Sequence, residues 1–316
     1  MKKALVIGAT GQIGSELVEQ LRSLFGENQI VAGYVPGVKI SDRLLNGGPI
    51  EEADVLNARQ LSSILDKYSI DTVFNLAALL SVVGEQKPLL AWNIQINGVL
   101  NLLEIAKEKK LSVFTPSSIG AFGNSSPKDK TPQDTIQRPK TIYGISKVTC
   151  ELLSDYYYHR YGVDTRSVRF PGLISYATPP GGGTTDYAIE MYHAAVKEER
   201  YHCPLRPGTF LDMMYMPDAL HAAIQLMDAD PARLIHRNAF NISSMSIDPE
   251  MISSAIRKEI PSFEMGYQID PLRQEIADSW PNSIDDTCAR EEWGWAPQCD
   301  LTCMTKEMIE KLNLIK

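Results

Sequence analysis

Apolar and polar positions follow two alternating patterns through the first half of the chain. Short apolar runs predict buried strands, and longer stretches with apolar residues three or four positions apart predict helices between them. The strand segments are "KALVI", "NQIVAGYV", "DTVFNLAAL", "LSVFTPSS" and "DTRSVRFPG". The helical segments begin at Gln12, Leu61, Leu89 and Tyr143. This alternation predicts an α/β fold, a Rossmann-type doubly wound parallel sheet with helices on both faces.

The pattern changes after Gly172, where segments become shorter and richer in Gly and Pro. "FLDMMYMPDALHAAIQLMDA" predicts a strand and then a helix whose N-cap is Asp218. "RNAFNIS" predicts a strand that returns to the main sheet. We therefore expect a dinucleotide-binding domain over residues 1–172 with a return segment near 218–245. Residues 173–316 are expected to form mainly a smaller substrate-binding lobe.

Composition and charge narrow the possible partners. The chain has 316 residues and a formal net charge of −8, and it has no basic run, so nucleic acid is not an expected partner. The apolar stretch "TVFNLAALLSVV" contains Asn75 and Ser81 and is too short to span a bilayer, so no membrane association is expected. The chain starts directly with a strand pattern rather than a targeting segment, which favours a cytoplasmic location.

The cysteines and histidines show no spacing typical of a metal site. The five cysteines contain no C-x-x-C pair, and the five histidines contain no H-E-x-x-H motif. We therefore expect free thiols in a reducing compartment and no bound metal. The cysteines are Cys150, Cys203, Cys288, Cys299 and Cys303.

A glycine-rich turn, "GATGQIG", joins the first strand to the first helix. Gly8 allows a tight turn, Gly11 allows a diphosphate to approach the backbone, and Gly14 allows the helix to pack closely on the strand. The amides and dipole of the helix N-terminus favour an anion there. The placement predicts a dinucleotide site, with an ordinary strand-to-helix turn as the alternative.

A second motif, "YGISK", places Tyr143 and Lys147 four residues apart on one helical face. A neighbouring ammonium favours the phenolate form of tyrosine, which could then act as a general base. The preceding strand ends in "PSSIGAFG", which offers Ser117 or Ser118 as a hydrogen-bond donor at the same edge of the sheet. A surface Tyr–Lys pair is the alternative interpretation.

Together these motifs resemble the extended, epimerase-like branch of the short-chain dehydrogenase/reductase superfamily. The G-x-x-G-x-x-G spacing, "ADVLN", "NLAAL" and Y-x-x-x-K occur in the family order. The resemblance implies hydride transfer with an NAD cofactor, with Tyr143 as base, Ser118 bonded to the substrate oxygen and Lys147 bonded to the nicotinamide ribose. The implied cofactor-binding residues are Gly8, Gly11, Gln12, Ile13, Gly14, Asp54, Val55, Ala77, Tyr143 and Lys147.

One position departs from the NAD-preferring pattern. Such proteins carry an acidic residue at the end of the second strand, where it bonds the adenosine ribose. Gly33 or Tyr34 stands there in this chain, and no arginine is present to bind a 2′-phosphate. NAD is the preferred cofactor, and NADP remains open.

Four later segments resemble the short-chain type of L-threonine 3-dehydrogenase. They are "VRFPGLIS", "PGGGTTDYAIEMYHAA", "MMYMPDAL" and "SWPNSIDDTCAREEWGW". This resemblance implies oxidation of L-threonine to 2-amino-3-oxobutanoate, with Ser81, Thr184 and Asp186 binding the substrate. It also implies a homodimer formed through the helices at about 88–109 and 143–161.

Other interpretations of the same residues stay open. Asp186 or Thr185 could simply cap the following helix, and Ser81 could bond only to backbone. A nucleotide-sugar epimerase or dehydratase of the same fold is the nearest alternative function. A non-catalytic NAD-binding sensor is the alternative from another class.

Overall fold

The computed structural model describes residues 1–181 and 183–315, so Gly182, the middle glycine of the "PGGG" segment, lies outside the described residues. The strands are β1 (Ala4–Ile7), β2 (Ile30–Tyr34), β3 (Ile50–Glu52), β4 (Thr72–Asn75), β5 (Ser112–Phe114), β6 (Ser117–Ser118), β7 (Asp164–Arg166), β8 (Val168–Phe170), β9 (Gly172–Ile174), β10 (Arg200–Cys203), β11 (Leu211–Tyr215), β12 (Phe240–Asn241), β13 (Met245–Ile247) and β14 (Glu264–Tyr267).

The helices separate these strands in the way the alternation predicts. They are α1 (Gln12–Phe25), α2 (Asp42–Asn46), α3 (Ala58–Tyr68), α4 (Ser81–Gln86), α5 (Pro88–Trp92), α6 (Gly98–Lys109), α7 (Ile142–Tyr161), α8 (Tyr187–Lys197), α9 (Met216–Asp228), α10 (Pro249–Glu259), α11 (Pro271–Ser279), α12 (Thr287–Trp293) and α13 (Leu301–Ile315).

The main sheet confirms the predicted α/β fold class. Its strand order is β3-β2-β1-β4-β5-β7, and all five pairings are parallel. Ala4 pairs with Ile30 on one side and with Thr72 on the other, so β1 is central. Every residue of β1 is buried because helices cover both faces. The order reverses between β1 and β4, and ligands bind at such switch points in doubly wound sheets.

Smaller sheets extend this layer toward the second half of the chain. β12 pairs with β8, which pairs with β6, and β11 lies between β9 and β13. Met216 and Ala219 of α9 pack in the same hydrophobic cluster as Leu17 of α1. A second cluster contains Tyr187 of α8 and Met304 of α13. The chain therefore returns from its second half to the first core through α9 and β12.

The prediction that Asp218 caps a helix is wrong. Helix α9 begins two residues earlier, at Met216, because Pro217 has the fixed φ that suits a first turn and needs no N–H partner. The carboxylate of Asp218 instead accepts hydrogen bonds from the N–H of Gln298 at 3.0 Å and of Cys299 at 3.2 Å. Asp218 thus ties the C-terminal segment to α9.

The long helix predicted from residue 88 is interrupted by a π-helical turn over Asn93–Asn97. Gln95, in this turn, is buried; its side-chain oxygen accepts the N–H of Leu79 at 3.1 Å, and its amide nitrogen donates to Ser146 of α7. These bonds fix the π turn against α7, where the Tyr–Lys motif begins.

The expectation of five free thiols is also wrong. Cys299 and Cys303 form a disulfide, with Cα atoms 5.5 Å apart, and Cys150, Cys203 and Cys288 are free. Cys299 precedes α13 and Cys303 lies in its first turn, so the bond joins the incoming segment to the helix.

Across the described ranges, no helix has both the length and the apolar content required to cross a lipid bilayer.

Candidate active site

A cavity of about 410 Å³ lies at the carboxyl ends of β1, β4, β6 and β8. The segment between β9 and α8 covers it from the other side. Predicted site residues that line it are Gly8, Gly11, Gln12, Ile13, Gly14, Ser81, Ser118, Tyr143, Lys147, Thr184 and Asp186. The fold therefore brings the glycine turn, the Tyr–Lys motif and the polar residues Thr184 and Asp186 to one cavity.

The glycine turn has a geometry that side chains would not permit. Gly8 has a φ of +79°, which L residues rarely adopt. An ideal Cβ on Gly14 would lie 2.1 Å from the carbonyl oxygen of Gly8, far inside contact distance. Helix α1 begins at Gln12 directly above this turn, and the buried side-chain amide nitrogen of Gln12 has no hydrogen-bond partner among the described residues. A bare helix N-terminus with a spare donor fits a diphosphate.

The Tyr–Lys motif lies in the first turns of α7. The side chain of Thr141 caps this helix by accepting the N–H of Gly144 at 3.1 Å. The Lys147 Nζ lies 5.3 Å from the centre of the Tyr143 ring and donates to the carbonyl of Pro116 at 2.7 Å. Lys147 is buried, so its ammonium is held beside the tyrosine rather than free in solvent.

The two adjacent serines differ in their hydrogen bonds. The hydroxyl of Ser117 donates to Glu151, whose carboxylate also pairs with Arg169 at 2.8 Å. The hydroxyl of Ser118 accepts the N–H of Gly120 at 3.1 Å, which leaves its own proton for another acceptor. Both side chains line the cavity, and Ser118 is the one with a donor to offer.

Ser81 of α4, together with Thr184 and Asp186, forms the wall opposite the glycine turn. Ser81, the first residue of α4, and Thr184 are buried, with hydroxyl oxygens 3.2 Å apart. Asp186 accepts the N–H of Gly183 at 2.8 Å, a bond within the loop that leads into α8. Glu85 of α4 accepts the N–H of Ile142 at 2.7 Å, which fastens α4 to the start of α7.

Three predicted cofactor residues lie outside the cavity lining. Asp54 accepts the N–H of Leu56 at 2.9 Å, in the turn after β3. Val55 is buried in the third hydrophobic cluster. The N–H of Ala77 lies 3.3 Å from the position of a Cβ on Gly8, so Ala77 borders the glycine turn from outside.

Two contacts that join α1 to the covering segment were missed by the sequence analysis. Glu16 accepts the hydroxyl proton of Ser175 at 2.5 Å, and the hydroxyls of Ser15 and Thr178 lie 3.4 Å apart. Burial raises the pKa of Glu16 to about 7, although the bond from Ser175 opposes this. Local sequence carries no signal for these pairs, because 159 and 163 residues separate the partners.

Trp280 also lines the cavity. It is buried in the second hydrophobic cluster, and its carbonyl oxygen accepts a hydrogen bond from Lys128 Nζ, 2.7 Å away. The residue therefore packs the smaller lobe and borders the pocket as well.

Comparison with known proteins gives consistent matches along the whole chain. A model of the NAD dependent epimerase/dehydratase family matches residues 4–243. An uncharacterized epimerase/dehydratase of Staphylococcus saprophyticus is 52% identical over 313 residues, which are 99% of this chain and 98% of that protein.

Solved structures are similar over the same length. An L-threonine dehydrogenase from Clostridium difficile has 54% identity and a TM-score of 0.98, covering 100% of this chain and 98% of that one. A monomeric L-threonine 3-dehydrogenase from a metagenome has 41% identity and a TM-score of 0.94, covering 99% of each chain. Motifs, fold and relatives agree that the chain belongs to the NAD dependent epimerase/dehydratase family, the extended branch of the short-chain dehydrogenases/reductases.

Proposed function

We propose that this protein is an NAD-dependent L-threonine 3-dehydrogenase, which oxidises L-threonine to 2-amino-3-oxobutanoate. The observation that carries the proposal is the meeting of Tyr143, Lys147 and Ser118 with the buried Ser81–Thr184 pair in one cavity. The similar solved structures are of L-threonine dehydrogenases, which supports the choice of substrate.

In this proposal Tyr143 is the general base for the secondary alcohol. Ser118 donates to the alcohol oxygen, and Tyr143 takes its proton. Lys147 Nζ lies 5.3 Å from the ring centre, so a buried positive charge stands beside the proposed base. These groups polarise the alcohol without a Lewis acid, so turnover should not depend on a metal in the cavity.

The charged ends of threonine match the opposite wall. The hydroxyls of Ser81 and Thr184 are donors for the carboxylate, and both are shielded from solvent. Asp186 lines the cavity with a carboxylate suited to the ammonium of threonine. The same carboxylate accepts a hydrogen bond from the N–H of Gly183. Burial of these polar groups favours a small zwitterion over an apolar substrate.

The residues around the glycine turn fit a dinucleotide. Gly8, Gly11 and Gly14 leave space for a diphosphate at the start of α1, and Gln12 offers an amide donor. We assign Ile13 and Ala77 to the same end, Asp54 and Val55 to the adenine, and Lys147 to the nicotinamide ribose. When bound, NAD⁺ supplies the hydride acceptor for the β-carbon of threonine.

A nucleotide-sugar epimerase or dehydratase is the second candidate, and the family description supports it. Such a substrate adds a second diphosphate to the cavity. Among the described lining residues, Lys147 carries the single cationic side chain, and the proposed cofactor already uses it. The charge of the lining therefore favours threonine.

We also propose a homodimer of this chain in the cytoplasm, with residues 173–316 serving mainly as the substrate-binding lobe. The helices α5, α6 and α7 expose large apolar side chains: Leu89 is 81% exposed, Leu152 is 63% exposed and Tyr156 is 53% exposed. Burial of these side chains against a second copy would remove apolar surface from water.

The test is formation of NADH absorbance with L-threonine and NAD⁺, with and without a chelator. NADP⁺, UDP-glucose and D-threonine serve as comparison reactants. NADH formation that requires L-threonine and survives the chelator supports the proposal. Conversion of UDP-glucose to another nucleotide sugar with no net NADH, read by chromatography, supports the epimerase, and NAD⁺ binding with no turnover of any reactant supports the sensor.

A further inference from the structure

A cluster of metal-ligating side chains lies apart from the cavity. His236, Cys288 and Glu292 each offer one ligand atom, and these three atoms lie within 4.8 Å of one another. Cys288 and Glu292 stand one turn apart on α12, and His236 comes from the segment that leads into β12. None of the three lines the cavity of the candidate active site.

We propose that His236, Cys288 and Glu292 bind a divalent transition-metal ion such as Zn²⁺. Imidazole nitrogen, thiolate sulfur and carboxylate oxygen are the three ligand types that Zn²⁺ takes in proteins. This mixed set disfavours Mg²⁺ and Ca²⁺, which prefer oxygen ligands. Three protein ligands leave the fourth tetrahedral position to water.

The surroundings already orient two of the ligands. One carboxylate oxygen of Glu292 accepts the N–H of Ile235 at 2.5 Å and of His236 at 3.2 Å, so its other oxygen faces the ring. On the far side of the ring, Asp134 Oδ2 lies 3.7 Å from His236 Nε2. This separation is longer than a hydrogen bond; in metal sites, a carboxylate that closes on the far nitrogen of a ligating histidine fixes its tautomer and raises its basicity.

The ion would replace a hydrogen bond that two of the ligands now make with each other. His236 Nδ1 and Glu292 Oε1 share a hydrogen bond. The carboxylates of Glu292 and Asp134 flank the His236 ring on opposite sides, so the surroundings of the ligands attract a cation. On binding, the ring proton of His236 moves through solvent from Nδ1 to Nε2 and the thiol proton of Cys288 passes to solvent, while metal–nitrogen and metal–sulfur bonds form.

The ion would join two parts of the fold. His236 precedes β12, which pairs with β8 beside the main sheet, and α12 packs Trp293 against Phe240. A metal at this point cross-links the return segment to α12. The metal site stabilises the fold and takes no part in turnover. If the protein binds no metal there, the proposed dehydrogenase activity is unaffected.

The first experiment is a Co²⁺ titration of tag-free full-length protein, in which a thiolate ligand gives a near-ultraviolet charge-transfer band. We expect one Co²⁺ per chain, with Zn²⁺ displacing it. Cys288→Ser should abolish the band, and Asp134→Asn should weaken Co²⁺ binding by about tenfold. His159→Gln, at an exposed histidine on α7, is the matched control and should bind as the wild type does.

The second experiment uses the wild-type chain, so it does not depend on a variant that folds. Cys288 is the most accessible free thiol, because Cys150 and Cys203 are buried. Iodoacetamide modification of Cys288, read by mass spectrometry, should slow at least tenfold in the presence of Zn²⁺. Equal modification rates with and without Zn²⁺, or a Co²⁺ band that persists in Cys288→Ser, would overturn the proposal.

Discussion

The hydroxyl oxygens of Ser81 and Thr184 lie 3.2 Å apart, although 103 residues separate them in the chain. Ser81 begins α4, and Thr184 begins the 3₁₀ turn before α8. Both side chains are buried, so the pair forms one polar wall shared by the two halves of the chain. This wall suits the carboxylate of an amino acid.

The first prediction concerns this wall. Thr184→Val removes the hydroxyl and keeps the shape, so the KM for L-threonine should rise about tenfold, as expected for loss of a hydrogen bond to a charged group. NAD⁺ affinity should stay within twofold. Steady-state kinetics and NAD⁺ titration measure both. Thr149→Val, on α7 away from the cavity, is the control; an unchanged KM in Thr184→Val would make the pair purely structural.

The second prediction concerns the base. Tyr143→Phe should lower kcat by about a hundredfold or more, the usual contribution of a general base, because the proton-accepting oxygen is lost while the ring remains. Cofactor affinity, followed by fluorescence quenching on NADH addition, should change little. Tyr156→Phe alters an exposed tyrosine on the same helix and should behave as the wild type. Near-normal turnover of Tyr143→Phe would remove it from the mechanism.

The third prediction concerns the glycine turn. In Gly14→Ala the new methyl carbon would lie 2.1 Å from the Gly8 carbonyl oxygen, so α1 must shift from β1. We expect NADH binding at least tenfold weaker and a lower unfolding temperature. Gly84→Ala is the matched control, since its methyl would meet its nearest atom at an ordinary 3.4 Å. Equal effects of the two substitutions would contradict a specific role for the turn.

The fourth prediction concerns pH. Burial raises the pKa of Glu16 from 4.5 to about 7, so the folded protein holds a proton that the unfolded chain loses between these values. Stability should therefore fall as pH rises through this window. Glu16→Gln keeps an acceptor for Ser175 and cannot ionise.

Above about pH 7, Glu16→Gln should be more stable than the wild type by on the order of 1 kcal/mol, and near pH 4.5 the two should converge. Urea unfolding across this pH range measures the difference. The Glu19→Gln variant, at an exposed glutamate on the same helix, controls for a general charge effect. Parallel pH profiles for wild type and Glu16→Gln would show that Glu16 is not protonated in the folded state.

The fifth prediction concerns assembly. Leu152→Lys places a charge at the centre of the exposed apolar surface of α7 and should convert a dimer to a monomer, because an unpaired charge resists burial. Light scattering after size-exclusion chromatography gives the mass. Leu314→Lys, at an exposed leucine of α13, should leave the mass unchanged. A wild-type monomer, as in the metagenome relative, would contradict the homodimer.

Much of the site could be predicted from local sequence. The turn at Gly8 to Gly14 lies between a strand and a helix that periodicity alone identifies, and Tyr143 and Lys147 meet because they stand one helical turn apart. The end of β6 places Ser118 at the same sheet edge. Each of these features depends on residues close together in the chain.

Two local predictions failed, each for its own reason. Asp218 has the chemistry of a helix cap, but the N–H groups of Gln298 and Cys299 take its carboxylate. The Cys299–Cys303 bond depends on how the segment before α13 turns, which cysteine spacing alone did not predict.

The sequence by itself determined the parallel α/β layer, the glycine turn and the Tyr–Lys face, because periodicity and short-range geometry specify them. Only the tertiary structure decided that Ser81 meets Thr184, that Glu16 meets Ser175, and which of two adjacent serines keeps a free donor. It also brought His236 to Glu292, 56 residues away. Such contacts depend on how α4, α8 and α12 pack on the sheet, and packing is a property of the whole chain.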